Sequence, residues 1–228
     1  MSGKKVALIL SGCGVYDGSE VTEVVSCLIH LSRAGVEVSM FAPNVSQMHV
    51  IDHTTGEEVK DTTRNVLVES ARIARGSIKA LDECSADDYD AIIIPGGFGA
   101  AKNLSDFAVK GAELTVHSKL EQLMIKFHEQ SKPIGCCCIA PTIVAKVFGN
   151  KGIKLTVGSD EESEKWPYAG AAGAINKLGA SHNVCKTDEA CIDKEHKIVS
   201  SSAYMYAGKP HEVDDSVKAM IDGVISLM

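Results

Sequence analysis

Apolar residues in this chain come as short unbroken runs separated by segments of helical period, the pattern of strands buried on both faces that alternate with helices. Residues 5–11 form the first run, which ends in Gly12-Cys13-Gly14. Residues 19–34 carry Val21, Val24, Val25, Leu28 and Leu31 at helical spacing, with Ser19 as the expected N-cap and Gly35 as the stop. Residues 36–42 predict a second strand. After Pro43 the pattern breaks, and residues 49–52 and 57–60 around Thr55-Gly56 predict a hairpin-like excursion from the main sheet. Residues 64–75 predict a helix.

The same unit then repeats. Residues 91–94 (Ala-Ile-Ile-Ile) are a fully apolar strand, Pro95-Gly96-Gly97-Phe98-Gly99 is its turn, and helical segments follow to about Gln130. Residues 133–138 predict another strand with a helix after Ile139-Ala140-Pro141. Residues 154–157 predict a further strand, 170–178 a helix, 184–200 two short strands around Asp193-Lys194-Glu195-His196, and 214–228 a closing amphipathic helix. This alternation predicts one α/β domain over residues 1–228, with a mainly parallel sheet whose ligands sit at the carboxyl ends of its strands.

Composition narrows the partners. The 23 basic and 30 acidic residues give a formal charge of −7, with no Lys/Arg block to neutralise a run of phosphates, so nucleic acid is not expected. The apolar run at residues 6–10 is too short for a membrane span or a signal-peptide core, and no Arg-rich leader precedes it. A soluble chain without membrane attachment is therefore expected. Of the eight cysteines, three are adjacent and the others are scattered, without a C-x-x-C pair or a Cys/His metal spacing. Reduced thiols and no zinc are expected.

The three adjacent cysteines, Cys136-Cys137-Cys138, lie where the strand of residues 133–138 meets the next helix. A sharp strand-to-helix turn can expose a nucleophile there, and it needs small neighbours because its backbone is strained. Cys138 has Cys136 two residues before it and Ala140 two after, whereas Cys137 has Ile139 at that place. At Cys138 a helix N-terminus is expected to lower the thiol pKa and to bind a developing oxyanion. Equally, small apolar cysteines fill buried strands.

The loops at residues 11–18 and 95–99 converge on the elbow if their strands are neighbours. Gly12-Cys13-Gly14 fails the dinucleotide pattern, because Asp17 stands where its third glycine belongs, and no Walker lysine follows. Gly97 N–H could join Ile139 N–H in an oxyanion hole, although a tight turn alone would also explain the glycines. Glu20 and Glu23 lie three apart at the start of the first helix, where acidic residues also complement the helix dipole. A carboxyl group sharing a cleft with a thiolate has its pKa raised, so it could exchange a proton with the sulfur. No histidine can be set beside Cys138 from the sequence, and His211 is expected to lie away from the cleft.

The residues Ser11-Gly12-Cys13-Gly14-Val15-Tyr16-Asp17-Gly18-Ser19-Glu20, Thr63-Arg64-Asn65-Val66-Leu67, Ile94 to Leu104 and Cys138-Ile139-Ala140-Pro141 together resemble the ElbB branch of the class I glutamine amidotransferase-like (ThiJ/PfpI) superfamily. The resemblance spans nearly the whole chain. It implies a flavodoxin-like three-layer sandwich with the nucleophile elbow at Cys138, because the family's elbow cysteine directly precedes Ile-Ala-Pro. It also implies a glutamate at the start of the first helix touching that sulfur, with Glu23 ranked slightly before Glu20.

Two departures matter. Ile139 stands where many relatives have a histidine after the nucleophile, and no histidine has a glutamate two residues later, so glutaminase chemistry is not expected. The resemblance implies a cofactor-independent glyoxalase-type reaction on a small carbonyl substrate such as glyoxal, with Cys138 as nucleophile, Glu23 or Glu20 moving the proton, and Gly97 and Ile139 holding the oxyanion. The alternative from a different class is a redox-sensing or binding module whose low-pKa cysteine is oxidised rather than turned over. The superfamily further implies a homodimer. Location is expected to be cytoplasmic, or mitochondrial if a leader was removed.

Overall fold

Val6, Ala7, Leu8 and Ile9 have no solvent exposure, because the strand they belong to lies in the middle of a sheet with protein on both faces. The computed structural model describes residues 3–228. In chain order, the first half holds β1 (Lys5–Ile9), α1 (Val21–Arg33), β2 (Glu37–Ala42), β3 (Ile51–Asp52), β4 (Glu57–Glu58), α2 (Val66–Ile73), β5 (Ile78–Ala80) and β6 (Ala91–Ile94). Next come α3 (Phe98–Lys102), α4 (Phe107–Lys110), α5 (Ser118–Glu129), β7 (Ile134–Cys137) and α6 (Pro141–Phe148). The chain closes with β8 (Lys154–Leu155), α7 (Gly170–Lys177), β9 (Ser181–His182), β10 (Ala190–Asp193), β11 (Ile198–Ser201) and α8 (Pro210–Leu227).

Seven strands form the main sheet in the order β10-β11-β7-β6-β1-β2-β5. All pairings are parallel except β10 with β11, which close the sheet as an antiparallel hairpin through Lys197, whose φ is 54°. Helices flank the sheet, with α1 packed on α8, α8 on β11 and β7, and α5 on β6 and β7. This is the flavodoxin-like α/β sandwich. The three strands β1, β6 and β7 are immediate neighbours, so the loops that follow them open at one end of the sheet, together with the loop after β11.

Three local expectations are corrected. The N-cap of α1 is Glu20 rather than Ser19, since the Glu20 side chain accepts from Glu23 N–H at 2.7 Å. Ser19 is buried and accepts from Ser11 N–H at 2.8 Å, which ties the loop to the end of β1. Residues 154–157 add nothing to the main sheet, because β8 pairs with β9 in a separate two-stranded sheet. The last helix begins at Pro210 rather than Asp214, with proline in its first turn and Glu212 accepting from Lys209 N–H at 2.7 Å. The edge strand β5 was not expected. The excursion after Pro43 is the antiparallel pair β3 and β4.

Candidate active site

Cys138 follows the last residue of β7 with a φ of 58°, a left-handed conformation that costs a non-glycine residue strain and turns the chain sharply from strand to helix. Ala140 N–H donates to Cys137 carbonyl at 3.1 Å inside that turn, and Pro141 opens α6 with φ already suited to a helix. Cys136 and Cys137 lie in the strand with no exposure, as their apolar reading requires, while Cys138 keeps 8%. The thiol borders a cavity of about 1060 Å³, also lined by Glu20, Gly97 and Ile139.

The turn after β6 fits under the elbow because it lacks side chains. A Cβ on Gly96 would collide with Cys138 Cβ and stand 2.9 Å from its sulfur and 2.8 Å from Glu23 Oε2. Gly97 has a φ of 90° and lies so close to Gly18 and Glu20 that only glycine fits. Interlocking backbone bonds hold this turn to the loop after β1: Phe98 N–H to Val15 carbonyl at 2.7 Å, Gly99 N–H to Gly18 carbonyl at 2.8 Å and Glu20 N–H to Gly96 carbonyl at 3.1 Å. The N–H groups of Gly97 and Ile139 lie by the Cys138 sulfur and act to lower its pKa.

Glu23 is fully buried beneath this arrangement. Its Oε2 accepts from Gly96 N–H at 2.9 Å and from the Cys137 thiol at 3.7 Å, and its Oε1 accepts from Tyr204 N–H at 3.2 Å. It also hydrogen-bonds the Cys138 side chain. Burial, and then the charge of Glu20, push the Glu23 carboxyl up to about 7 against these hydrogen bonds. Burial likewise raises Glu20, against the Glu23 N–H that its carboxylate accepts. Glu23 therefore contacts the thiol, whereas Glu20 caps α1 and borders the cavity.

The expectation of a low-pKa thiol is overturned. Burial first, and the neighbouring Glu23 charge second, push the Cys138 thiol well above its usual value, and the Gly97 and Ile139 N–H groups only partly offset them. At neutral pH the thiol therefore keeps its proton, while the Glu23 carboxyl beside it is near its midpoint.

Among the described residues no histidine lines the cavity, and His211 stands on the exposed start of α8. No described group of three or more His, Cys, Asp or Glu residues has metal-binding geometry. No helix among the described residues is long and apolar enough to cross a membrane. Sequence reasoning did not find Tyr204. Its N–H reaches Glu23 from the loop after β11, where Ala203 has a φ of 42°, and nothing local in the sequence marks that turn.

Residues 4–203 match the DJ-1/PfpI family. The chain is 53% identical over 224 residues to the rat (Rattus norvegicus) ES1 protein homolog, mitochondrial, covering 98% of this chain and 84% of that protein. It is equally 53% identical to the human (Homo sapiens) glutamine amidotransferase-like class 1 domain-containing protein 3, mitochondrial, over 98% of this chain and 83% of that one. Among solved structures, an isoprenoid biosynthesis protein with an amidotransferase-like domain from Ehrlichia chaffeensis superposes with a TM-score of 0.89 at 34% identity, over 99% of each chain.

Proposed function

The chain belongs to the DJ-1/PfpI family, and from that premise we propose a cysteine-nucleophile enzyme that converts small reactive dicarbonyls to 2-hydroxy acids without a cofactor. The family includes glyoxalase and deglycase members. The observation that carries the reading for this chain is the buried Glu23 carboxyl, raised to about 7 and hydrogen-bonded to a cavity-lining Cys138. A carboxyl group tuned to neutrality can take and return a proton in one cycle.

Cys138 sulfur bonds to the aldehyde carbon while its proton passes through Glu23 to the carbonyl oxygen, giving a hemithioacetal. The Gly97 and Ile139 N–H groups stabilise the oxygen as it becomes negative. Glu23 then removes the proton on the sulfur-bearing carbon and the adjacent carbonyl oxygen is protonated, giving an enediol. Return of a proton to that adjacent carbon, with loss of the hydroxyl proton on the sulfur-bearing carbon, leaves the thioester of a 2-hydroxy acid. Water hydrolyses the thioester and restores the thiol. We assign the carbon proton to Glu23 because it contacts the sulfur, whereas the Glu20 carboxylate is held as a helix cap at 2.7 Å.

The redox reading calls for an exposed, low-pKa thiol, and the burial and raised pKa of Cys138 favour attack coupled to Glu23 instead. Both mammalian relatives carry a mitochondrial designation, which supports mitochondria as the site of action. The test is conversion of methylglyoxal to lactate without glutathione by wild type, Cys138→Ser and Cys137→Ser. Turnover lost in Cys138→Ser and kept within threefold in Cys137→Ser is expected. Equal turnover in wild type and Cys138→Ser would overturn the assignment.

A further inference from the structure

A two-carbon dicarbonyl occupies only a corner of the cavity beside Cys138, whose volume of about 1060 Å³ matches the size of sites that enclose a drug-sized ligand. Three rings from three separate segments line it. Tyr16 comes from the loop after β1, Phe98 from the start of α3 and Tyr168 from the segment before α7. The Tyr16 and Phe98 ring centroids are 6.4 Å apart, and those of Phe98 and Tyr168 are 6.3 Å apart with planes at 83°. The first pair is tilted at 51° and the second is edge-to-face, and with each ring at least a third exposed, ring surface is left open to a further flat group.

The rings are 40%, 36% and 49% exposed, while the thiol is 8% exposed, so the cavity runs from an aromatic mouth to a buried nucleophile. Lys102 braces the mouth. Its ammonium donates to the Tyr16 backbone carbonyl at 2.9 Å and lies 5.6 Å from the Phe98 ring centroid, which ties the loop that carries Tyr16 to the Phe98 ring. The other charged groups at the cavity are the carboxylates Glu20 and Glu162, which disfavour an anionic ligand. An uncharged apolar body does not meet that objection, and covering exposed ring surface is favourable in proportion to the area removed from water.

We propose that the carbonyl substrate of Cys138 carries an uncharged aromatic or similarly flat apolar body, which lies against Tyr16, Phe98 and Tyr168. This rests on the carbonyl reading of Cys138 and specifies its substrate class. Binding and turnover separate the two. The probes are acetophenone and acetone, titrated into Cys138→Ser, and phenylglyoxal and methylglyoxal, turned over by wild type. The shelf variants are Tyr168→Ala and the milder Phe98→Leu, each introduced both with and without Cys138→Ser.

Acetophenone is expected to bind at least tenfold tighter than acetone, and phenylglyoxal to have at least a tenfold higher kcat/KM than methylglyoxal. Both ratios are expected to fall at least threefold in either shelf variant. Acetophenone binding no tighter than acetone, or a preference untouched by both variants, would overturn the shelf even if methylglyoxal is turned over. Preferential acetophenone binding that the variants lose, without turnover of either dicarbonyl, would support the shelf and overturn the dicarbonyl conversion.

Discussion

Glu23 is the residue on which the proposed chemistry turns, and its burial has a measurable stability signature. Its folded pKa of about 7 lies above the ordinary value of 4.5, so its contribution to stability is fully present below about pH 4.5 and is lost as pH rises through about 7. A shift of that size corresponds to roughly 3 kcal/mol. Urea unfolding of wild type and Glu23→Gln is therefore expected to show wild type losing about 2–3 kcal/mol relative to the variant between pH 5 and pH 8. A difference that does not change with pH would contradict the raised pKa. The same titration governs activity with the opposite sign: protonated Glu23 cannot take the thiol proton, so kcat/KM is expected to rise between pH 5 and pH 8. The position of Cys138 at the strand-to-helix turn was legible in the sequence from its small neighbours and the Ile-Ala-Pro that follows. Choosing Glu23 over Glu20 as the thiol contact needed the helix boundary, because the carboxylate that caps α1 is held by its own backbone.

Loops rather than strands set the precision of the site, and two substitutions test them. Asn103 joins three segments: its Nδ2 donates to Ser11 carbonyl at 2.8 Å and Asp17 carbonyl at 2.9 Å, and its Oδ1 accepts from Met48 N–H at 2.9 Å. Asn103→Ala leaves these groups unpaired and is expected to cost about 2–3 kcal/mol in urea unfolding. A loss below the measurement error would show that water replaces the side chain. Gly96→Ala pushes a methyl group against Cys138 and Glu23, so at least a tenfold loss of kcat/KM is expected together with a lowered Tm. Unchanged activity would mean that the elbow tolerates movement. The strands were legible where they are buried on both faces, as in Ala91–Ile94, and illegible where they are short and at an edge, as in Ile78–Ala80. The start of α8 carried a readable signal in Lys209-Pro210 and Glu212 that periodicity alone passed over.

At the scale of the molecule, the order of strands turns four distant segments into one site. Neighbouring β1, β6 and β7 bring Glu23, Gly97 and Cys138 together, which the sequence could state only conditionally. Placing β11 beside β7 adds Tyr204, which lies 181 positions from Glu23, so no local pattern could have revealed it. The parallel topology and the family were legible because they rest on long apolar runs and on motifs spread over the chain. The aromatic mouth of the cavity was not, because Tyr16, Phe98 and Tyr168 meet only after folding. The most direct test of the central claim is turnover of glyoxal in deuterium oxide without glutathione, with the glycolate analysed for carbon-bound deuterium. Sustained turnover with deuterium on the hydroxymethyl carbon is expected, because the proton passes through an exchangeable carboxyl group. Turnover no faster than free cysteine provides, or glycolate that carries no carbon-bound deuterium, would contradict the account.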